Sequence, residues 1–270
     1  MTGKALHKLG LPLWTPAIPD AYKVDSSVRS QEKKALKVVY FPSCINQTMG
    51  LEKASQGLTP LVEEMTELMN KAGYEVIFPE RMDSLCCGTI WESKGMPDIA
   101  DKKVKELEEA LWKASEQGRY PVVCDQSPCL HRMRQHITRI SLYESAEFVY
   151  KFLVNRLVFV QKDVPVALHL TCSTRLMKID GYVRELASLC SSSVLVPEGV
   201  GCCGFAGDKG MTHPELNKYA LRKLAAQVQE KGIETGYSNS RTCEMGLQTN
   251  SGIPYRSIIY LVNSCTLPKD

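Results

Sequence analysis

The sequence predicts an α/β fold built twice, two halves with parallel sheets and helices on their faces, related by a pseudo-twofold. Three observations predict it. The tripeptide Cys86-Cys87-Gly88 returns as Cys202-Cys203-Gly204. An apolar run ending in a lone cysteine precedes each, Val38 to Cys44 and Val166 to Cys172, and a further lone cysteine follows each, Cys129 and Cys243. Between these points, short β-rich runs alternate with amphipathic helical patterns, as in parallel sheets with crossover helices.

Taken in order, residues 1–35 read as a lead-in, with Pro12, Pro16 and Pro19 around Trp14 and a polar stretch from Ser26 to Lys34. Such a segment lies across a surface or links to something upstream. The first half, 36–155, opens with the buried-strand run Val38–Phe41. Thr59 and Pro60 predict a helix N-cap and first turn. Leu61, Met65, Leu68 and Met69 then share one helical face, and Gly73 ends it. A strand over Val76 to Phe78 leads into Cys86-Cys87-Gly88.

The second half, 156–270, repeats the order. A strand runs from Val166 to Leu170, a helix carries Tyr182, Leu186 and Leu189, and a strand over Val194 to Val196 leads to Cys202-Cys203-Gly204. Beyond each pair a proline, Pro97 or Pro214, predicts the start of a long amphipathic helix. Each half closes on a helical stretch, Glu147 to Leu153 and Ser257 to Val262. This is a Rossmann-like alternation, and in such sheets the loops beyond the strand carboxyl ends form the site. The four cysteine positions of each half fall on those loops.

Composition narrows the chemistry. The formal charge is +3 and its basic residues are scattered, which gives nucleic-acid binding no electrostatic support. No apolar run approaches the roughly 18 residues of a membrane span, and the start has no apolar signal core. Eleven cysteines in a chain without secretion signals point to metal or redox chemistry before disulfides, and their odd number agrees. Two matched sets follow as ligand candidates: Cys44, Cys86, Cys87 and Cys129, and Cys172, Cys202, Cys203 and Cys243. Thiolates are soft donors that select zinc or iron–sulfur clusters. The separations are too long for a zinc ribbon, whose ligands come in close pairs. They suit ligands from separate loops of one sheet, and Gly88 and Gly204 would let the backbone approach an inorganic core.

Other groups compete poorly. Cys190 and Cys265 read as core or surface residues, whereas Cys124 either joins the first site or packs beneath it, with Tyr237 near the matching place. His169 reads as a packed neighbour of the second site, and His131, His136 and His213 as solvated or capping groups. Gly207-Asp208-Lys209-Gly210 lacks phosphate-loop spacing; it shapes the loop behind the second pair, with Asp208 or Lys209 as surface contacts. No residue is assigned a catalytic role.

The doubled lone-Cys, Cys-Cys-Gly, lone-Cys arrangement resembles the cysteine-rich CCG domain found in heterodisulfide reductase, glycolate oxidase iron–sulfur subunits and lactate-utilisation iron–sulfur proteins. The second half, with His169 to Arg175, Cys202 to Asp208, Pro214 to Asn217 and Ser240 to Glu244, also resembles the carboxy-terminal region of FAD-linked, iron–sulfur D-lactate dehydrogenases. The resemblance implies a 4Fe-4S type cluster, cubane or noncubane, held by the eight cysteines and relaying electrons from flavin to a quinone or cytochrome. It implies FAD only on a domain upstream of this chain, with FAD-binding and ferredoxin-like domains as partners in one protein or complex. That places the chain in the cytoplasm, at most peripheral to the inner face of the membrane. The family usually ends each repeat in Cys-x-x-Cys; here Gln126 and Ser240 stand where the fifth cysteine would be. A zinc-holding structural or docking domain and a thiol–disulfide domain of heterodisulfide reductase type therefore stay open as alternatives.

Overall fold

In a computed structural model, which describes residues 3–25, 28, 33–55 and 57–269, the chain forms two four-stranded parallel sheets of the same design. In the first, β1 (Leu36–Phe41), β2 (Tyr74–Ile77), β3 (Val122–Cys124) and β4 (Leu142–Glu144) lie in the order β2-β1-β3-β4. A short strand β5 (Leu157–Phe159) follows. The second sheet takes β6 (Val166–Leu168), β7 (Val194–Leu195), β8 (Gly236–Ser238) and β9 (Tyr255–Ser257) in the order β7-β6-β8-β9. A last strand, β10 (Thr266–Pro268), pairs antiparallel with β5. The duplication and the parallel α/β design are thus as the sequence predicts.

Strand alternation explains how the layers pack. In β1, Val38 and Tyr40 face a core shared by both sheets, while Val39 and Phe41 face an outer layer under the helices Pro97–Ala114 and Ser127–His136. The shared core is sealed by helix Ile258–Ser264 of the second half against helix Leu61–Lys71 of the first. Lys71 Nζ donates to Asn263 Oδ1 at 2.6 Å, and Tyr260 donates to the Thr59 carbonyl at 2.8 Å. Leu61, Met65, Leu68 and Met69 are all buried there, on the face their spacing predicts.

Several elements depart from expectation. Pro60, not Thr59, occupies the N-cap, and the helix starts at Leu61. The helix expected after Pro214 breaks into Pro214–Ala220 and Leu224–Glu230. Leu221 and Leu224 both turn inward, and the tight turn that lets them do so bonds Leu224 N–H to the Leu221 carbonyl at 2.9 Å. The closing helix of the first half starts at Ser145, two residues before Glu147, because Glu144 caps it through the amides of Ala146 and Glu147. Strand β6 ends at Leu168, although His169 and Leu170 stay buried beyond it.

The lead-in does lie across a surface. Leu13 N–H bonds to the Met211 carbonyl at 2.7 Å in the second half, and Tyr22 N–H to the Thr48 carbonyl at 2.9 Å in the first. Most of the polar stretch from Ser26 to Lys34 lies outside the described residues.

Candidate metal–thiolate site

The chain leaves β1 for β2 on one side and crosses to β3 on the other, so the strand order reverses between β1 and β3. Open parallel sheets bind ligands at this crevice, beyond the strand carboxyl ends. Every predicted site cysteine falls there. Cys44 is the first residue of helix Cys44–Thr48 after β1, and Cys129 the third of Ser127–His136 after β3. Cys172 opens Cys172–Leu176 after β6, and Cys243 is the third residue of Arg241–Ser251 after β8. The Cys-Cys-Gly loops after β2 and β7 reach in from the side. Each site thus takes two thiols from helix N-termini, whose unpaired amides favour a thiolate.

Within each set the thiols form a contact chain: Cys44 with Cys86, Cys86 with Cys87, Cys87 with Cys129. In the other, Cys172 meets Cys202, Cys202 meets Cys203, and Cys203 Sγ lies 3.0 Å from Cys243 Sγ. The first cysteine of each pair is the one its neighbours make more acidic. The Cys44 thiol, then Cys87 and the Gly88 amide at 3.4 Å, pull Cys86 down to about 2. The Cys172 thiol, then Cys203 and the Gly204 amide at 3.3 Å, pull Cys202 to about 2. Their contact with these thiolates pushes Cys44 and Cys172 up.

Four soft donors, one of them an acidified thiol, fit a soft cation or cluster in kind. In this conformation they touch rather than encircle: among the described residues, no three His, Cys, Asp or Glu side chains are spaced to close around a metal ion. The physical reason is the contact itself. Two thiolates on a tetrahedral ion with 2.3 Å bonds stand about 3.8 Å apart, so metal entry must part Cys203 from Cys243.

Gly88 and Gly204 do turn the backbone sharply, with φ of 88° and 70°. They also make room for a helix. A Cβ on Gly88 would strike the Ala100 carbonyl and Arg132, and one on Gly204 would sit 2.8 Å from the Leu216 carbonyl and from Ala220 Cβ. The glycines let the following helix approach the loop. Arg132, 2% exposed, is the residue sequence reasoning missed; it packs beneath Gly88 and pairs with Glu92 and, at 2.7 Å, with Asp101. Only its place three residues after Cys129 hinted at it.

Gln126 and Ser240, at the fifth-cysteine positions, face each other across the halves. Gln126 Nε2 donates to Ser240 Oγ at 3.1 Å, and Gln126 Oε1 accepts from Arg241 N–H at 3.0 Å. Beside them Ser127 Oγ meets Thr171 Oγ1 at 2.9 Å and accepts from Ser173 Oγ at 2.7 Å. Ser127, two residues before Cys129, therefore touches both neighbours of Cys172.

The remaining candidates separate cleanly. Cys124 is buried beneath the first site among Phe41, Cys87 and Cys129. Its counterpart is Ser238, since Phe41 registers with Cys124 and Leu168 with Tyr237. Tyr237 therefore matches Val123, not Cys124. Cys190 and Cys265 are core residues, both buried, with Cys265 Sγ 3.6 Å from the Cys190 carbonyl. His131, His136 and His213 stay outside the sites; His213 pairs with Glu215 at 3.3 Å. Asp208 makes its surface contact with Lys94 of the other half at 2.7 Å.

With this geometry in place, comparison with known proteins adds the family. The CCG cysteine-rich domain pattern matches residues 38–134 and 166–248, which are most of the chain and hold all eight site cysteines. The chain belongs to the CCG cysteine-rich domain family. This CCG protein is similar to lactate utilization protein A 1 of Bacillus mycoides (strain KBAB4), at 22% identity over 214 residues, covering 71% of this chain and 84% of that protein. Among solved structures it is similar to Picrophilus torridus aspartate racemase, with 9% identity, 88% and 96% coverage and a TM-score of 0.36. It is also similar to glutamate racemase from Aquifex pyrophilus, with 13% identity, 85% and 81% coverage and a TM-score of 0.35. Among its described residues, no helix of the CCG protein is long and apolar enough to cross a membrane.

Proposed function

We propose that this chain is an electron-transfer module in which Cys44, Cys86, Cys87 and Cys129, and Cys172, Cys202, Cys203 and Cys243, each hold an iron–sulfur centre. Its place is in an oxidoreductase acting on lactate or a related 2-hydroxy acid, between a flavin domain and a quinone or cytochrome acceptor. The observation that carries this reading is the same four-thiol set on the same strand ends of both sheets. The lactate assignment rests on the name of the Bacillus mycoides relative. When bound, such a centre supplies one-electron storage. The chain's part is to present Cys86 and Cys202 as acidic thiols, aim helix amides at Cys44, Cys129, Cys172 and Cys243, and hold both sites close through Ser127, Thr171 and Ser173. Anaerobic purification followed by iron, zinc and acid-labile sulfide analysis tests it. Iron with matching sulfide and a visible charge-transfer absorption band is the expected result; colourless, iron-free protein overturns it.

The 3.0 Å contact between Cys203 and Cys243 favours a second reading, thiol–disulfide chemistry. Rapid, reversible oxidation of that pair in metal-free protein, with retained redox activity, would put that reading first.

A further inference from the structure

One difference between the two thiol sites concerns a nitrogen. His169 stands at the end of β6, three residues before Cys172, and is 2% exposed. Strand alternation puts it on the face of Ala167, two residues earlier. Ala167 packs in the outer core with Cys203 and Cys243, so the ring lies on the side of the second thiol set. Its Nδ1 is 3.1 Å from Ser238 Oγ, while its buried Nε2 has no hydrogen-bond partner. The charges that act on the ring are those of Arg175 and Cys202. A buried ring nitrogen without a partner is costly unless something binds it.

Resting on the reading that the thiols hold a metal centre, we propose that His169 Nε2 is a fifth donor to the metal held by Cys172, Cys202, Cys203 and Cys243. Imidazole Nε2 is a common metal ligand, and a ligating ring characteristically gives its other N–H to a fixed acceptor, the part Ser238 Oγ plays. The donor takes up the role left open at Ser240, which is engaged with Gln126. The first site has no such nitrogen: Phe41 stands at the matching position and packs against Cys124 where Ser238 would be. The second site is thus a mixed sulfur–nitrogen centre and the first a sulfur-only one.

The test is pulsed electron paramagnetic resonance of the reduced, full-length chain, purified anaerobically with natural-abundance and with 15N-labelled histidine. Isotope-sensitive strong coupling to one ring nitrogen is expected, lost in His169→Gln and kept in His131→Gln. Should the metal be zinc, X-ray absorption takes the place of resonance and must show nitrogen beside sulfur. Ser238→Ala, which frees the ring without removing it, is expected to weaken metal retention at the second site by about 10–100-fold. An iron–sulfur or zinc protein with no directly bound nitrogen overturns this inference alone, as does an unchanged coupling in His169→Gln. A protein with no metal overturns both it and the reading beneath it. Because the isotope comparison is made on the unaltered chain, the outcome stands even where a variant folds poorly.

Discussion

Set side by side, the two halves share their cysteines and differ in what surrounds them. Cys44, Cys86, Cys87 and Cys129 match Cys172, Cys202, Cys203 and Cys243 strand end for strand end. Behind them the first half places the apolar pair Phe41 and Cys124, and the second the polar pair His169 and Ser238. The first buries carboxylates, Asp125 and Glu144, where the second buries the neutral Asn239 and Ser257. Asp125 accepts from Tyr40 at 2.7 Å and from the Ser43 amide at 2.9 Å, directly behind Cys44. The comparison teaches that duplication kept the cysteines and let their electrostatic surroundings diverge.

The largest effect expected in a test of this comparison falls on what the halves share. Gly88→Ala combines a left-handed backbone with a Cβ driven into the Ala100 carbonyl, and should cost about 3 kcal/mol, a Tm drop of roughly 6–12 °C. Gly204→Ala should cost somewhat less, because its nearest obstacles include the Ala220 methyl. Gly57→Ala, with a φ of 97° but open space around it, is the control and should cost about 1 kcal/mol. Equal Tm shifts in all three would break the claim that helix approach explains the glycines.

Next comes a difference between the halves. Glu144 and Ser257 are matching helix N-caps, but only Glu144 titrates. Burial pushes its carboxyl from 4.5 up to about 6. The folded chain therefore binds more protons than the unfolded chain between these values. That stabilisation is complete below pH 4.5 and is lost as pH rises through 6, about 2 kcal/mol in all. Glu144→Ser keeps a capping hydroxyl and removes the carboxyl. Urea unfolding at about pH 4, 5.5 and 7 should show the advantage of the unaltered chain over Glu144→Ser shrinking by about 2 kcal/mol across that range. A constant gap would sink the assignment.

A smaller effect tests whether the pairs behind the cysteines are interchangeable. His169→Phe leaves Ser238 Oγ buried without its partner, at a cost of about 1–2 kcal/mol in metal-free protein. His169→Phe with Ser238→Cys rebuilds the apolar pair of the first half and should recover about 1 kcal/mol of it, measured as the coupling in a double-mutant cycle. No coupling would mean that the two sites are not packed on one plan.

The duplication was legible because it is written in residues that chemistry constrains. Cysteines repeat in matched contexts, and apolar spacing at 61, 65, 68 and 69 needs no tertiary knowledge to read. What escaped depends on contacts between distant residues. The break after Ala220 follows from Leu221 and Leu224 both reaching one core, and helical spacing alone cannot show that. The short strands β4 and β9 gave no pattern, since each is three residues long and recognised only by its neighbour. Gln126 and Ser240 read as missing ligands, yet their structural role is to bond to each other across 114 positions of sequence. Cys190 and Cys265 meet for the same reason, through the packing of two helix ends.

The smallest predicted effect concerns a contact made directly between the loops downstream of the two Cys-Cys-Gly turns. Lys94 Nζ sits 2.7 Å from Asp208 Oδ2, each side chain 46% exposed, and Lys94 holds the Asp208 carboxyl below its usual range. Geometry alone would make this a clasp joining the halves. Exposure argues otherwise: water screens both charges, and such pairs contribute about 0.2–1 kcal/mol. Lys94→Ala should therefore lower Tm by no more than about 4 °C at low salt. In about 1 M salt the difference should vanish, because the screening length shrinks to about 3 Å. The shared core around Tyr260 and Lys71 is what holds the halves together. A loss at Lys94 of the size predicted for Gly88→Ala, persisting in high salt, would move that role to the loops and make the two sites mechanically one.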